Sequence, residues 1–215
     1  MDTSITTKLD SFFTKYSSRT CTKGDILIRA GEEPKGIFYL VKGNIRQYVI
    51  TKDGEEMTLN IYKPFAFFPM AWAVNAYPNT YYFEAMNDGM YWIAPKSDVL
   101  DFINREPDIV YDLLKRVYVG LEGILSRMEH LMSGKAIERL LTVLVISAKR
   151  FGESDKDTII IRLKLTHQDL ANLAGLSRET VSREMNELKQ KGLLEYTSSS
   201  IIINNVLELE RELKG

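Results

Sequence analysis

The sequence predicts an α+β chain: an N-terminal antiparallel β-roll, a long helix, and a C-terminal pair of short helices followed by a β-hairpin. Three observations carry this reading. Short β-prone runs alternate with glycine turns from Thr22 to Ile93, a heptad stripe of apolar residues comes after Pro107, and a helix, glycine turn and helix pattern fills Leu165 to Leu194.

The roll comes first. Ile26 to Ile28, Ile37 to Val41, Ile45 to Ile50 and Met57 to Ile61 are β-prone, and Tyr81 to Ile93 adds a closing segment. Between them lie Lys23-Gly24-Asp25, Ala30-Gly31-Glu32, Lys42-Gly43-Asn44 and Lys52-Asp53-Gly54. Each triplet holds a glycine able to take the positive φ of a tight turn, so successive hairpins result. Closely spaced hairpins fold back into a roll or barrel. The roll and an N-terminal helix are assigned to residues 1–106.

The long helix is assigned to 107–133. Pro107 suits a first helical position and Asp108 suits its positive first turn. Val110, Leu114, Val117, Leu121, Ile124, Met128 and Leu131 then recur at alternating intervals of four and three. Such a stripe serves either a helix packed on its own roll or a two-helix seam across a dimer axis. The seam uses the 3.5-residue period more economically, so a homodimer is the expectation. Ser133 and Gly134 interrupt the helix, and are read as a hinge in which serine caps the next helix.

The third segment, 134–215, opens with an amphipathic helix from Lys135 to about Arg150. A polar loop from Glu153 to Asp157 and a strand from Thr158 to Lys164 come next. Thr166 can cap a helix with Asp169 three residues on, and Gly175 permits a sharp turn that Leu176 plugs. Ser177 caps a second helix with Val181, Met185 and Leu188 on its buried face. That is a helix-turn-helix. Two strands around Ser198-Ser199-Ser200 make it winged.

Its outer face carries Arg178, Glu179, Ser182, Arg183 and Asn186. Arginine donates a fork of hydrogen bonds to guanine and glutamate accepts from cytosine, so Arg178, Glu179, Ser182 and Arg183 are the candidate base readers. Thr166, His167, Ser177, Thr180 and Ser199 are the candidate phosphate contacts, because helix starts and wing hydroxyls meet DNA backbone. Double-stranded DNA is the expected partner.

Composition excludes several alternatives. The 215 residues are 45% hydrophobic and 27% charged with a net charge of −1, so a DNA partner must be argued from local arrangement. Cys21 is the one cysteine, so neither a cysteine-ligated iron–sulfur cluster nor a zinc ribbon is expected. His130 and His167 both lie outside the roll, which leaves it without a cupin-type metal site, and no metal is expected. His130 reads as a solvated helix residue. No nucleophile–base pair or phosphate loop stands out, so no enzyme is expected. The N-terminus has no secretory apolar core and no run is long enough to span a membrane, which points to a cytoplasmic chain with no membrane partner.

The run Gly175-Leu176-Ser177-Arg178-Glu179-Thr180-Val181-Ser182-Arg183 resembles the recognition-helix signature of the Crp/Fnr superfamily of bacterial regulators. The roll resembles that family's cyclic-nucleotide-binding-like domain in Gly36-Ile37-Phe38-Tyr39-Leu40-Val41-Lys42-Gly43 and in its other glycine turns. The resemblance implies a homodimeric transcription regulator that meets RNA polymerase. Glu179 and Arg183 would take the principal base-reading positions. Glu179, Ser182 and Arg183 look like the reader of TTGAT half-sites and Arg178 like that of TGTGA, so a TGA-containing half-site in an inverted repeat is implied.

Members that bind cyclic AMP carry a glycine–glutamate pair and an arginine–serine pair. Here Pro69 and Met70 stand at the first and Asn79 and Thr80 near the second, so cyclic AMP is not expected. The region is aromatic instead. Phe67, Phe68, Trp72, Tyr81 and Tyr82 either fill the roll or line a pocket for an unknown apolar small-molecule effector. A ligand-binding or protein-interaction module with a degenerate winged helix is the alternative reading of the whole chain.

Overall fold

The computed structural model describes residues 3–155, 158–197 and 199–214. The side chains of residues 130–133, 155 and 214 lie outside the described residues, and with them Leu131 of the expected seam and Ser133 of the expected hinge. The chain forms two compact units, 1–118 and 119–215.

The first unit opens with α1 (Thr3–Phe13), whose Ile5, Leu9 and Phe13 recur every four residues and are all buried. The strands β1 (Ser17–Cys21), β2 (Ile26–Ile28), β3 (Ile37–Lys42), β4 (Ile45–Ile50), β5 (Glu56–Tyr62) and β6 (Phe67–Phe68) come next. The short helix α2 (Met70–Asn75) precedes β7 (Tyr82–Ala85), β8 (Gly89–Ala94) and α3 (Lys96–Arg105). The strands make two antiparallel sheets, ordered β1-β8-β3-β6 and β2-β7-β4-β5, which is the expected roll.

Successive strand residues face opposite ways, and β3 is buried on both faces. Its Ile37 and Tyr39 join Leu9, Phe13, Val99 and Ile103 under the helices, while Phe38 and Leu40 join Ile45, Phe83 and Tyr91 inside the roll. This explains the unbroken apolar run at Ile37 to Val41. Gly89 is required where β8 meets the β3–β4 turn, since a Cβ there would sit 2.6 Å from the Lys42 carbonyl oxygen.

The helix α4 (Pro107–Ser133) runs across the division between the units. In the first unit its Ile109 is fully buried, and Arg116 ties it to the roll by donating to the Phe65 carbonyl at 2.8 Å. In the second unit it is followed by α5 (Ala136–Phe151), β9 (Gly152–Asp155), β10 (Thr158–Ile161), α6 (His167–Ala174), α7 (Arg178–Gln190), β11 (Leu194–Tyr196), β12 (Ile201–Ile203) and α8 (Val206–Lys214). The four strands form one antiparallel sheet ordered β11-β12-β10-β9. Leu140, Leu144, Leu170, Val181, Leu188, Ile203 and Leu209 are fully buried beside it.

Several local expectations need correction. Glu153 to Asp155 are not loop but part of β9, whose pairing satisfies the free edge of β10. The strand read as Thr158 to Lys164 stops at Ile161. The cap of α5 falls on Lys135, whose backbone N–H is accepted by Glu138 at 2.8 Å, rather than on Ser133. The strand β1 leaves no mark in the sequence pattern, because only Cys21 of Ser17–Cys21 is buried and no alternation results.

Candidate nucleic-acid interface

The two helices of the helix-turn-helix are set by their caps. Thr166 Oγ1 accepts from the Asp169 backbone N–H at 3.1 Å, and the Asp169 carboxylate accepts from the Thr166 N–H at 2.8 Å, a reciprocal box at the start of α6. Gly175 ends α6 in the left-handed region at φ 61°, where a side chain would be strained. Ser177 Oγ then accepts from the Thr180 N–H at 3.1 Å and opens α7. The α7 face toward the core is Val181, Glu184, Met185 and Leu188.

The opposite face lines a shallow concavity formed by Arg178, Glu179, Ser182, Arg183 and Asn186. The structure thus brings all four candidate base readers together, with Asn186 one turn beyond them. Ser182 is half-buried and the other four are exposed. Arg183 is additionally held by Glu184, to which its Nη2 donates at 2.9 Å.

The candidate phosphate contacts fall at three places. Thr166 and His167 stand at the start of α6, Ser177 and Thr180 at the start of α7, and Ser199 on the wing turn. There Thr197 Oγ1 accepts from the Ser199 and Ser200 N–H groups at 3.2 and 3.1 Å, fixing the turn. The His167 ring meets Tyr196 edge-on at 5.4 Å. Burial and then the Arg178 charge hold its imidazole pKa below the ordinary value.

Two supporting residues gave no signal in the sequence. Arg139 of α5 donates from Nε and Nη2 to the Ala174 carbonyl at 3.0 and 2.7 Å, and also bonds the Gly175 carbonyl. It therefore satisfies the last carbonyls of α6 and fastens the turn. Tyr196 of the wing donates to Asn186 Oδ1 at 2.8 Å, and the Lys189 ammonium lies 5.3 Å from its ring. The first contact joins residues 35 apart in the chain and the second residues 10 apart.

The roll treats its candidates differently. Phe67 and Phe68 are adjacent on β6 and face opposite ways. Phe67 and Trp72 belong to the cluster under the helices, Phe68 and Tyr81 to the roll interior, and Tyr82 stacks on Tyr48 at 5.1 Å. The five are not brought around one cavity. Nor do the side chains present fit a cyclic nucleotide. Asn79 is buried with its amide spent on the Arg29 and Tyr81 carbonyls at 3.0 and 2.8 Å. Arg46, the largely buried guanidinium of the sheet, is held by Glu56 and Glu84 at 2.7 Å each.

A capped helix pair, an outward polar face on the second helix and a flanking hairpin define a winged helix-turn-helix DNA-binding protein carrying an N-terminal β-roll. Comparison with known proteins agrees. Residues 138–212 match the family model of a Crp-like helix-turn-helix domain, and residues 18–106 match that of a cyclic nucleotide-binding domain. The chain is 24% identical over 183 residues to the fumarate and nitrate reduction regulatory protein of Salmonella typhimurium, covering 85% of this chain and 73% of that protein. It is also 24% identical over 184 residues to the global nitrogen regulator of Synechocystis, covering 85% and 82%. Among solved structures, a mutant of CooA from Carboxydothermus hydrogenoformans shares the fold with a TM-score of 0.78, at 20% identity over 94% of this chain and 90% of that one. The chain belongs to the Crp/Fnr family of transcription regulators.

Among the described residues no helix is long and apolar enough to cross a membrane, and no group of histidine, cysteine and carboxylate residues could hold a metal ion.

Proposed function

We propose that this chain acts in the cytoplasm as a homodimeric, non-catalytic regulator that reads an inverted repeat with TGA-containing half-sites and works with RNA polymerase. The observation that carries the reading is the α7 face, where Arg178, Glu179, Arg183 and Asn186 are exposed together beside Ser182. Arg178, Glu179, Ser182 and Arg183 contact base edges, and Thr166, His167, Ser177, Thr180 and Ser199 contact phosphates.

The dimer is supported by α4. Val110, Leu114, Val117, Leu121, Ile124 and Met128 are each more than 40% exposed among the described residues, a long apolar stripe left partly open. A second α4 at heptad register buries it and sets two recognition helices about one helical turn of DNA apart. In this scheme residues 1–106 receive a signal other than a cyclic nucleotide, 107–133 dimerise, and 134–215 bind DNA. Ser133 and Gly134 form the hinge whose setting decides whether the two helices fit the repeat.

Selection of binding sites from a randomised duplex pool tests this. Enrichment of an inverted repeat is expected, with loss of preference at one base pair in Arg183→Ala worth about 1–3 kcal/mol. No enrichment of any repeat, with Arg183→Ala binding duplexes as weakly as the parent, would instead favour a module whose winged helix no longer reads DNA.

A further inference from the structure

The inward face of α7 contains a residue that does not belong to an apolar row. Val181, Glu184, Met185 and Leu188 keep the i, i+3, i+4, i+7 spacing of a buried stripe, and Glu184 is 8% exposed. A buried carboxylate is costly unless it keeps a charged or hydrogen-bonding partner. Among the described residues the partner is Arg183, whose Nε and Nη2 both donate to Glu184 Oε1, at 3.3 and 2.9 Å. The guanidinium itself remains outside, with its side chain 71% exposed against 10% for Glu184.

We infer that Glu184 is a positioning residue that fixes how Arg183 meets DNA and so sets the balance between specific and non-specific binding. This rests on the reading of Arg183 as a base reader. A guanidinium has five N–H donors, and Glu184 takes one from Nε and one from Nη2. What is left is the far end of the fork, the pair on Nη1 and the outer N–H of Nη2, which is the edge that bonds guanine N7 and O6 together. Were Arg183 to swing toward a phosphate it would leave the buried carboxylate without its partner. Glu184 therefore penalises the sideways pose and leaves the end-on one. Its negative charge also weakens the attraction of Arg183 for phosphate, which is the main source of sequence-independent affinity. Both effects favour discrimination over raw affinity.

The test compares Glu184→Leu and Glu184→Gln in the full-length protein, measuring affinity for the selected duplex and for a scrambled one. Leucine completes the apolar row, so thermal melting should be unchanged or raised. In Glu184→Leu, non-specific binding should tighten and discrimination at the Arg183 base pair should fall by about tenfold. Glu184→Gln keeps the acceptor oxygen without the charge, so it should retain base preference while non-specific binding tightens. In an Arg183→Ala background the leucine change should leave discrimination unaltered. Wild-type discrimination and wild-type non-specific affinity in a folded Glu184→Leu protein overturn the proposal. If Arg183→Ala alone leaves discrimination intact, it is the base-reading assignment of Arg183 beneath the proposal that fails.

Discussion

The roll and the helix-turn-helix spend their polar side chains in opposite directions. In the roll they turn inward or toward one another: Arg46 is held between Glu56 and Glu84, Tyr39 donates to Asp10 at 2.8 Å, Tyr16 donates to Asp98 at 3.0 Å, and Asn79 satisfies backbone. Aromatic rings fill the space between, with Phe68 stacked on Phe38 and Phe83 at 5.5 and 5.2 Å. In the helix-turn-helix the inward groups are mostly apolar, and five polar side chains line one outward face. A side chain whose hydrogen bonds are complete inside the protein has little to offer a ligand, whereas outward arginines and glutamates gain their partners on binding. The contrast sets a packed body in the first unit against an outward polar face in the second.

The largest expected effect tests whether α4 joins two such bodies. Leu121→Glu would place two carboxylates against each other in the middle of the seam. The variant should run as a monomer by light scattering, and affinity for the inverted repeat should fall by at least about a hundredfold, the avidity lost when two linked half-sites become separate. An intact dimer in this variant would mean that the exposed stripe serves another purpose.

The next tests the packed character of the roll. Phe68 is fully buried among Phe38, Tyr62 and Phe83. Phe68→Ala should cost about 3–5 kcal/mol in urea unfolding. A cost under about 1 kcal/mol would mean that the ring lines an accommodating pocket rather than a core, and would restore the effector reading.

These two regions also differ in how far the sequence discloses them. The caps at Thr166 and Ser177, the turn at Gly175 and the reader face depend on residues three or four apart, so local pattern contains them. Most of the roll's strands are legible through β-prone runs between glycine turns, whereas β1 is not. The features that sequence hides depend on contacts between distant residues. Phe67 and Phe68 look like one aromatic patch until β6 sends them to opposite faces. Glu184 is the exception, since its spacing of three from Val181 is local and already places it on the buried row. Arg139 reaches across 35 residues to Ala174, and nothing near it in sequence announces that.

Arg139 gives a mid-sized prediction. Removing its guanidinium in Arg139→Ala leaves the last carbonyls of α6 without that donor and frees the turn that angles α7. Stability should fall by about 2 kcal/mol, the worth of hydrogen bonds to a charged group, and DNA affinity should fall further than stability alone explains. Arg139→Lys, which cannot fork across two carbonyls, should recover only part. Full recovery by lysine would show that charge near the helix end matters and the fork does not.

The smallest effect concerns His167, and it separates folding from DNA contact by sign. In the free protein, burial and the Arg178 charge depress its pKa, so folding favours the neutral imidazole. That contribution to stability is complete above the unfolded pKa of about 6.5 and is lost as pH falls through the lower folded value. The melting temperature of the parent should therefore drop more between pH 7.5 and acid pH than that of His167→Gln, which has no proton to gain. A phosphate beside His167 acts in the opposite direction, raising its pKa in the complex and drawing in a proton on binding. The parent should accordingly gain DNA affinity relative to His167→Gln as pH is lowered from 7.5 to 6.0 at fixed salt. A ratio of affinities that stays flat while the melting difference persists would keep His167 as a helix-start residue against Tyr196 and take it off the DNA backbone.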